Sequence, residues 1–476
     1  MAAAEQLDLV IRGGRLVDRH LDLVADIGIR RGRIALIGER LSGRRELDAA
    51  GKLVIPGGID GHVHIRVERD EDAYDDTFTT GSIAAAFGGV TTFLDQIQVE
   101  PGRGLTLAGG LESRIAEADG RCVVDYGFHV NPREPRRELL AEIPAIARAG
   151  FPSFKFFMNY EGYALPDDAL LVGMQRVAEA GGLAIVHAEN KAVIDELVRQ
   201  NTEAGRTGLR WYGSARPSVM EGEATHRALA LARLAGCRVL VFHVTAAEAV
   251  AEVARAKELG QPAFGEACLH YLVLDESLLD DPDVGPAFEL SPPLRDEAHR
   301  AAQWTGLRDG TLDVVSTDHG PRRLRRHPDG KLVPLRGTSG IEVRLPLLHE
   351  LGVRAGRLSL RRWVDVCCTR PAEVFGLPTK GRLLPGYDAD LVVFDTEREV
   401  TLSHTALHSN IDHSTYEGVV VRGYPTVTVC RGEIVVQDGE LGVEPGHGQL
   451  APRGWRPRTA AKVSVVESGA TPSTSR

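Results

Sequence analysis

Between residues 54 and 320 the chain alternates short β-branched apolar runs with longer segments rich in alanine, leucine, glutamate and arginine, and it does so eight times. Runs of the first kind read as buried strands and the longer segments as helices, so the pattern is one of repeated βα units. Strands are expected at VIPGGIDGHVH, GVTTFLD, VVDYGFHV, SFKFFMN, LAIVHAE, RVLVFHVTA, PAFGEA and LDVVSTDHG. Segments such as DTFTTGSIAAAF, ELLAEIPAIARAG, DALLVGMQRVAEAGG and AAEAVAEVARAKELG are expected as helices between them. Eight strands, each followed by a helix, is the count of a closed (β/α)8 TIM barrel, an α/β fold whose active sites sit at the C-terminal ends of its strands. An open doubly wound sheet would need a glycine-rich phosphate fingerprint, which is not found in the sequence.

The two ends of the chain have a different texture. DLVIRGGRLVD, ADIGIRRGRIALIGE and GKLVIPGG read as short strands joined by glycine turns, and ADLVVFDTEREVTL and YEGVVVRGYPTVTVCRGEIVVQDGEL repeat that texture after about residue 380. The expected organisation is a small β-sandwich domain built from both termini, residues 1–53 and 380–452, beside a barrel domain of residues 54–379. Residues 453–476, polar and rich in serine, threonine and proline near the end, are expected as a flexible tail. A chain of 476 residues that is 43% hydrophobic can bury a large core, which excludes global disorder and a small disulfide scaffold. The formal charge of −10, with no block of five basic residues, argues against nucleic acid as a partner. Six cysteines without a C-x-x-C pair, and a start without a basic-then-apolar leader, point to the reducing cytoplasm. No run of about 18 apolar residues suggests a membrane span.

His62 and His64 stand at i and i+2 on the first barrel strand, so both side chains point the same way, toward the axis at the C-terminal mouth. Lys155, His187 and His243 end later strands in the same manner, and Asp318 ends the eighth. A lone histidine at a strand end is more often a hydrogen-bonded packing residue than a ligand, and the chain has 16 histidines. The joint placement on one rim is what turns the set into a metal site. Imidazole and carboxylate ligands suit zinc or a similar divalent ion, and a pair of ions can share a bridging hydroxide that attacks a carbonyl. A protonated Lys155 would repel such ions, so it must be deprotonated or modified. A carbamate formed on its amine by carbon dioxide would offer two oxygens to two ions. The other reading is a lysine that binds a substrate carboxylate or forms a Schiff base in a one-metal or metal-free site.

PGGIDGHVH, DDTFTTGSIAAAFGGVTTFLD, SFKFFMNY, VHAEN, FHVT, LDES with LSPPLR, VSTDHGP, SGIEVRLPLL, RPAEVFGL, KGRLLPGYDADLVVFD and YEGVVVRGYP follow one another in order from about residue 8 to about 450. In this the chain resembles the amidohydrolase superfamily, and within it the cyclic amidohydrolases of the dihydropyrimidinase and hydantoinase group. The resemblance implies a metal-dependent barrel with a β-sandwich, a homo-oligomer of two or four chains, and hydrolysis of a ring amide in a small-molecule substrate. It implies that His62, His64 and Asp318 hold one ion, that His187 and His243 hold a second, and that carbamylated Lys155 bridges them. Asp318 would also carry the proton. Tyr160 matches a tyrosine that hydrogen-bonds the tetrahedral oxyanion, against the reading of a packed loop aromatic. Ser291 matches a serine whose backbone contacts the substrate imide.

Two positions depart from the hydantoinase pattern. Arg336, in LRGTSGIE, stands where an asparagine is usual. Arg66, in HVHIR, gives an H-x-H-x-R motif that resembles dihydroorotase, where that arginine holds a substrate carboxylate; the dihydroorotase partner asparagine is missing from LDQIQ. Arg66 is also explained by an ion pair with Glu68 or Asp70. The first functional reading is therefore a hydrolase opening a dihydropyrimidine or 5-substituted hydantoin to an N-carbamoyl amino acid. The second is the same chemistry on dihydroorotate, allantoin or another ring with an anionic group, read by Arg66 and Arg336. The third, a non-catalytic scaffold on the same fold, is opposed by the six intact metal-site residues.

Overall fold

The computed structural model describes residues 6–65, 74–98 and 106–455. Five strands open the chain: β1 (Leu7–Val17), β2 (Asp22–Arg30), β3 (Arg33–Gly38), β4 (Gly43–Asp48) and β5 (Leu53–Pro56). Eight more are hydrogen-bonded neighbours in chain order: β6 (Gly58–Val63), β7 (Val90–Gln98), β8 (Asp125–Asn131), β9 (Ser153–Phe157), β10 (Leu183–His187), β11 (Arg238–Val241), β12 (Ala263–Cys268) and β13 (Val314–Ser316). All are parallel, and a bridge between Val63 and His319 joins the last to the first. The eight expected strands thus form a (β/α)8 barrel. Its outer helices include the four expected segments, at Phe78–Phe87, Arg137–Arg148, Asp167–Glu179 and Ala247–Glu258. Among the described residues no helix is long and apolar enough to cross a membrane.

Four strands follow the barrel: β14 (Leu391–Thr401), β15 (Val420–Cys430), β16 (Glu433–Gln437) and β17 (Glu440–Leu441). They share one nine-stranded sheet with β1–β5, and the two ends of the chain meet where β14 pairs with β5 and β5 with β1. Strand alternation gives this sheet two apolar faces. Leu391 and Val393 join Leu9, Ile11, Ile27, Ile29 and Val429 on one face. Val392 and Phe394 lie on the other, within the cluster that includes Ala84–Phe87 and Val90 of the barrel.

The expected first barrel strand is divided between the two sheets. Pro56, which has no N–H to give a ladder, ends β5, and β6 begins at Gly58. A side-chain carbon on the intervening Gly57 would lie 2.1 Å from Thr91, so the crossing needs a residue with none.

The first residues of the expected tail, 453–455, are packed against the barrel. The stretch after β17 leaves the sheet and runs along the barrel: the Gly446 and Gly448 N–H groups donate to Cys122 O (3.0 and 2.8 Å), and Ala451 donates to Tyr126 O (2.8 Å). Arg453 then enters the barrel interior. Its guanidinium donates to the carbonyls of Phe128 (2.6 Å) and Phe375 (3.0 and 2.9 Å) and to Ser153 Oγ (2.7 Å). Trp455 lies under the Arg238 guanidinium at 4.2 Å. An arginine in a polar stretch reads as solvated; here buried carbonyls at the barrel end capture it. The rest of the expected tail, 456–476, lies outside the described residues.

Arg453→Met keeps the bulk of the plug but strands those carbonyls without a donor. It is expected to cost roughly 2–4 kcal/mol. The loss should appear as a lower urea midpoint with an unchanged denaturant slope.

Candidate metal centre

The mouth of the barrel collects the six predicted residues. Asp318 Oδ1 lies 3.0 Å from His62 Nε2 and 2.8 Å from His64 Nε2, and ligand atoms of these three residues all fall within 4.8 Å of one another. Lys155 Nζ is 3.1 Å from His62 Nε2. The ring of His243 is centred 5.6 Å from that of His62 and 4.4 Å from that of His187. No ordinary strand end presents all of these. His243 and Asp318 each follow their strand by two residues and take left-handed backbone angles, φ +36° and +48°. For non-glycine residues this conformation is costly and persists only where the surroundings enforce it.

Buried carboxylates supply part of that enforcement. Glu266 Oε2, on β12, lies 2.9 Å from His62 Nδ1 and accepts the His243 backbone N–H at 3.0 Å. Asp60, on β6, accepts the Thr317 hydroxyl at 2.7 Å and the Thr317 N–H at 3.3 Å, fixing the residue before Asp318. Arg344, completely buried, donates to Ile59 O (2.8 Å) on β6 and Val315 O (2.6 Å) on β13. On the opposite wall Glu189 Oε2 lies 2.7 Å from His187 Nε2 and accepts from Ser291 Oγ at 2.6 Å and Asn159 Nδ2 at 2.9 Å.

These contacts set the protonation states. Burial would raise the Asp318 carboxyl, but the charges and hydrogen bonds of His62 and His64 outweigh it and hold the group well below the usual carboxylate range. Burial raises Glu189 too, and its hydrogen bond to His187 and the His187 and Arg216 charges bring it down to about 2. Burial lowers His64 to about 4 and His243 well below its ordinary value, leaving both neutral, the form that ligates a metal. Burial also lowers the Lys155 amine to about 8. Tyr160 keeps its proton because burial pushes its phenol well above 10.

Tyr160 and Ser291 sit together beside His187. The Tyr160 ring is centred 4.9 Å from that of His187, and its hydroxyl donates to Ser291 O at 3.4 Å. Arg336 is not brought to the cluster. Its side chain is 68% exposed and pairs with Glu289 at 3.2 Å. The next residue, Gly337, packs so closely on Gly320 that a side-chain carbon there would lie 1.9 Å from Gly320 O. The backbone of this segment is thereby pressed inward while the arginine extends to solvent. Arg66 lies outside the described residues.

Sequence reasoning missed Glu266, Glu189, Asp60 and Arg344. A signal existed for two of them: Glu266 is the lone acid in the run PAFGEAC, and Glu189 stands at i+2 from His187 in VHAEN.

Comparison with known proteins bears on the whole chain. Residues 53–435 match the amidohydrolase family. A D-hydantoinase of Streptomyces coelicolor is 42% identical over 93% of this chain and 97% of its own length. One of Geobacillus stearothermophilus is 40% identical over 96% and 99%. The crystal structure of dihydropyrimidinase from Brevibacillus agri superposes with a TM-score of 0.89 at 35% identity, covering 94% of this chain and 99% of that one.

Because Glu266 fixes both His62 and the turn at His243, Glu266→Gln is expected to weaken divalent-ion affinity about 10- to 100-fold. Competition against a chelator measures it, with the circular dichroism spectrum confirming that the barrel persists.

Proposed function

This chain belongs to the amidohydrolase family, and from that premise we propose that it opens a cyclic amide, a dihydropyrimidine or 5-substituted hydantoin, to the N-carbamoyl amino acid. The observation that carries this reading is the convergence of His62, His64, Lys155, His187, His243 and Asp318 at one barrel mouth. It is joined by full-length similarity to D-hydantoinases.

The residues fit a pair of divalent ions, with zinc the proposed metal. Three ligand atoms converge, two buried imidazoles are held neutral, and His62 carries a carboxylate on its second nitrogen, as metal-bound histidines do. Lys155 is buried, and burial lowers its amine to about 8, which enlarges the free-base fraction that addition of carbon dioxide requires. His62, His64 and Asp318 would hold one ion, His187 and His243 the other, and carbamylated Lys155 both. Bound there, the ions would polarise the ring carbonyl and bring water near ionisation at neutral pH.

The chain's own groups supply the rest. Asp318, ionised at the mouth, takes the proton of the attacking water as the new C–O bond forms. It returns that proton to the ring nitrogen as the C–N bond breaks. The Tyr160 hydroxyl donates to the oxygen that gains charge. The Ser291 backbone faces the ring imide, while its hydroxyl is spent on Glu189. The outward course of Arg336 favours a ring without an anionic group over the second reading.

We place the enzyme in the cytoplasm, where its six buried free thiols stay reduced. A homotetramer, or a dimer, is proposed on the resemblance alone.

The test is a panel of hydantoin, dihydrouracil, dihydroorotate and allantoin with metal-loaded protein. Opening of hydantoin or dihydrouracil is expected; use of dihydroorotate alone would replace this reading with the anionic-ring one. Asp318→Asn is expected to keep most of its metal, since an amide oxygen can still ligate, while kcat falls at least ~10²-fold for want of a proton carrier. Metal analysis alongside steady-state kinetics separates the two effects.

A further inference from the structure

Gln96 and Asn131 are each 1% exposed, and among the described residues none of the four polar atoms of their two amides has a hydrogen-bond partner. Native interiors rarely leave such groups unpaired. Their position follows from register. Gln96 pairs with His129 on the next strand, and His129 faces the barrel interior: its Nε2 lies 2.8 Å from Gly61 O, and its ring meets Phe242 and Phe375. Asn131, two residues on, shares that face one pleat nearer the mouth. Val130 pairs with Phe154, which sets Asn131 beside Lys155. Val63 pairs with Asp95, which sets Gln96 beside His64. Asp95 itself points the other way, to Arg114 at 2.9 Å.

We propose that Gln96 and Asn131 form a polar subsite for the 5-substituent of the ring, and that the preferred substituent ends in a carboxamide group. This rests on the ring-opening reading above and narrows its substrate class. Each amide offers N–H donors and a carbonyl acceptor. A carboxylate would engage the donors and leave Gln96 Oε1 and Asn131 Oδ1 unpaired. An alkyl or phenyl group would leave all four atoms unpaired. A carboxamide group, itself donor and acceptor, pairs with both kinds.

The experiment compares 5-(carbamoylmethyl)hydantoin with 5-isobutylhydantoin, which is nearly isosteric and has no polar end. Unsubstituted hydantoin serves as reference. Wild type is expected to favour the carboxamide-bearing ring over isobutyl by at least about a hundredfold in kcat/KM, because a site built to hydrogen-bond a group strongly rejects an isostere lacking it. In Gln96→Leu and Asn131→Leu the ratio is expected to fall toward one, through KM rather than bound metal. If wild type opens hydantoin but uses the two substituted rings equally, the subsite is overturned and ring opening stands. If the leucine variants lose metal and slow every ring by the same factor, the amides position His64 and Lys155 instead, and the subsite is again overturned. Opening of no ring overturns the parent reading, and the subsite with it. The wild-type comparison depends on no variant folding.

Discussion

Asp60 and Arg344 hold the seam at which the first barrel strand meets the last. Arg344 spans the gap by donating to a carbonyl on each side, and Asp60 grips Thr317 from across it. Both side chains are completely buried, 3.9 Å apart at their nearest charged atoms. Removing one member of such a pair strands the other in the interior, at a typical cost of about 3–5 kcal/mol. The candidate site depends on this seam because its proposed ligands come from both sides of it: His62 and His64 from one strand, Asp318 from the turn after the other. The left-handed backbone of Asp318 is tolerable because Thr317 before it and the His319 bridge after it are both tied to β6.

A ring of carboxylates outside the candidate ligands does comparable work. Glu266 fixes the orientation of His62 and Glu189 that of His187, each occupying one imidazole nitrogen. The same Glu189 draws in Ser291 and Asn159, so two polar side chains of the mouth are built onto the support of a candidate ligand. Shape and electrostatics at this mouth are therefore coupled: a change that loosens Glu189 disturbs an imidazole and the Ser291 segment together.

Much of this was legible in the sequence because it is periodic. The eight βα units, and strand ends carrying histidine, lysine or aspartate, follow from spacing alone, and the order of the motifs pointed to the family. The unread parts depend on direction or on distant partners. Arg336 looks like a charge reader in sequence, but its side-chain direction follows from how Gly337 packs against Gly320. Glu266 lies in an apolar run and gains meaning only beside His62 from another strand, and Glu189 only once its carboxylate is seen to turn back onto His187. Arg453 belongs to a polar stretch, and the carbonyls that capture it come from Phe128 and Phe375. The strand split at Gly57 needed Thr91 to be known as its neighbour.

The meeting of both termini in one sheet bears on how the chain is made. During synthesis β5 emerges early, yet its partner is β14, so Leu53 waits for Phe394 before its pairing is complete. The barrel end waits longer still, for Arg453. Until then the nascent chain on the ribosome carries a sheet open along one edge and a barrel open at one end, with apolar surface facing the cell. Pairing across such sequence distance is slow, and the intermediates are prone to aggregate. A message truncated even slightly before the codon for Arg453 would encode every candidate catalytic group and still yield a polypeptide for chaperones and proteases.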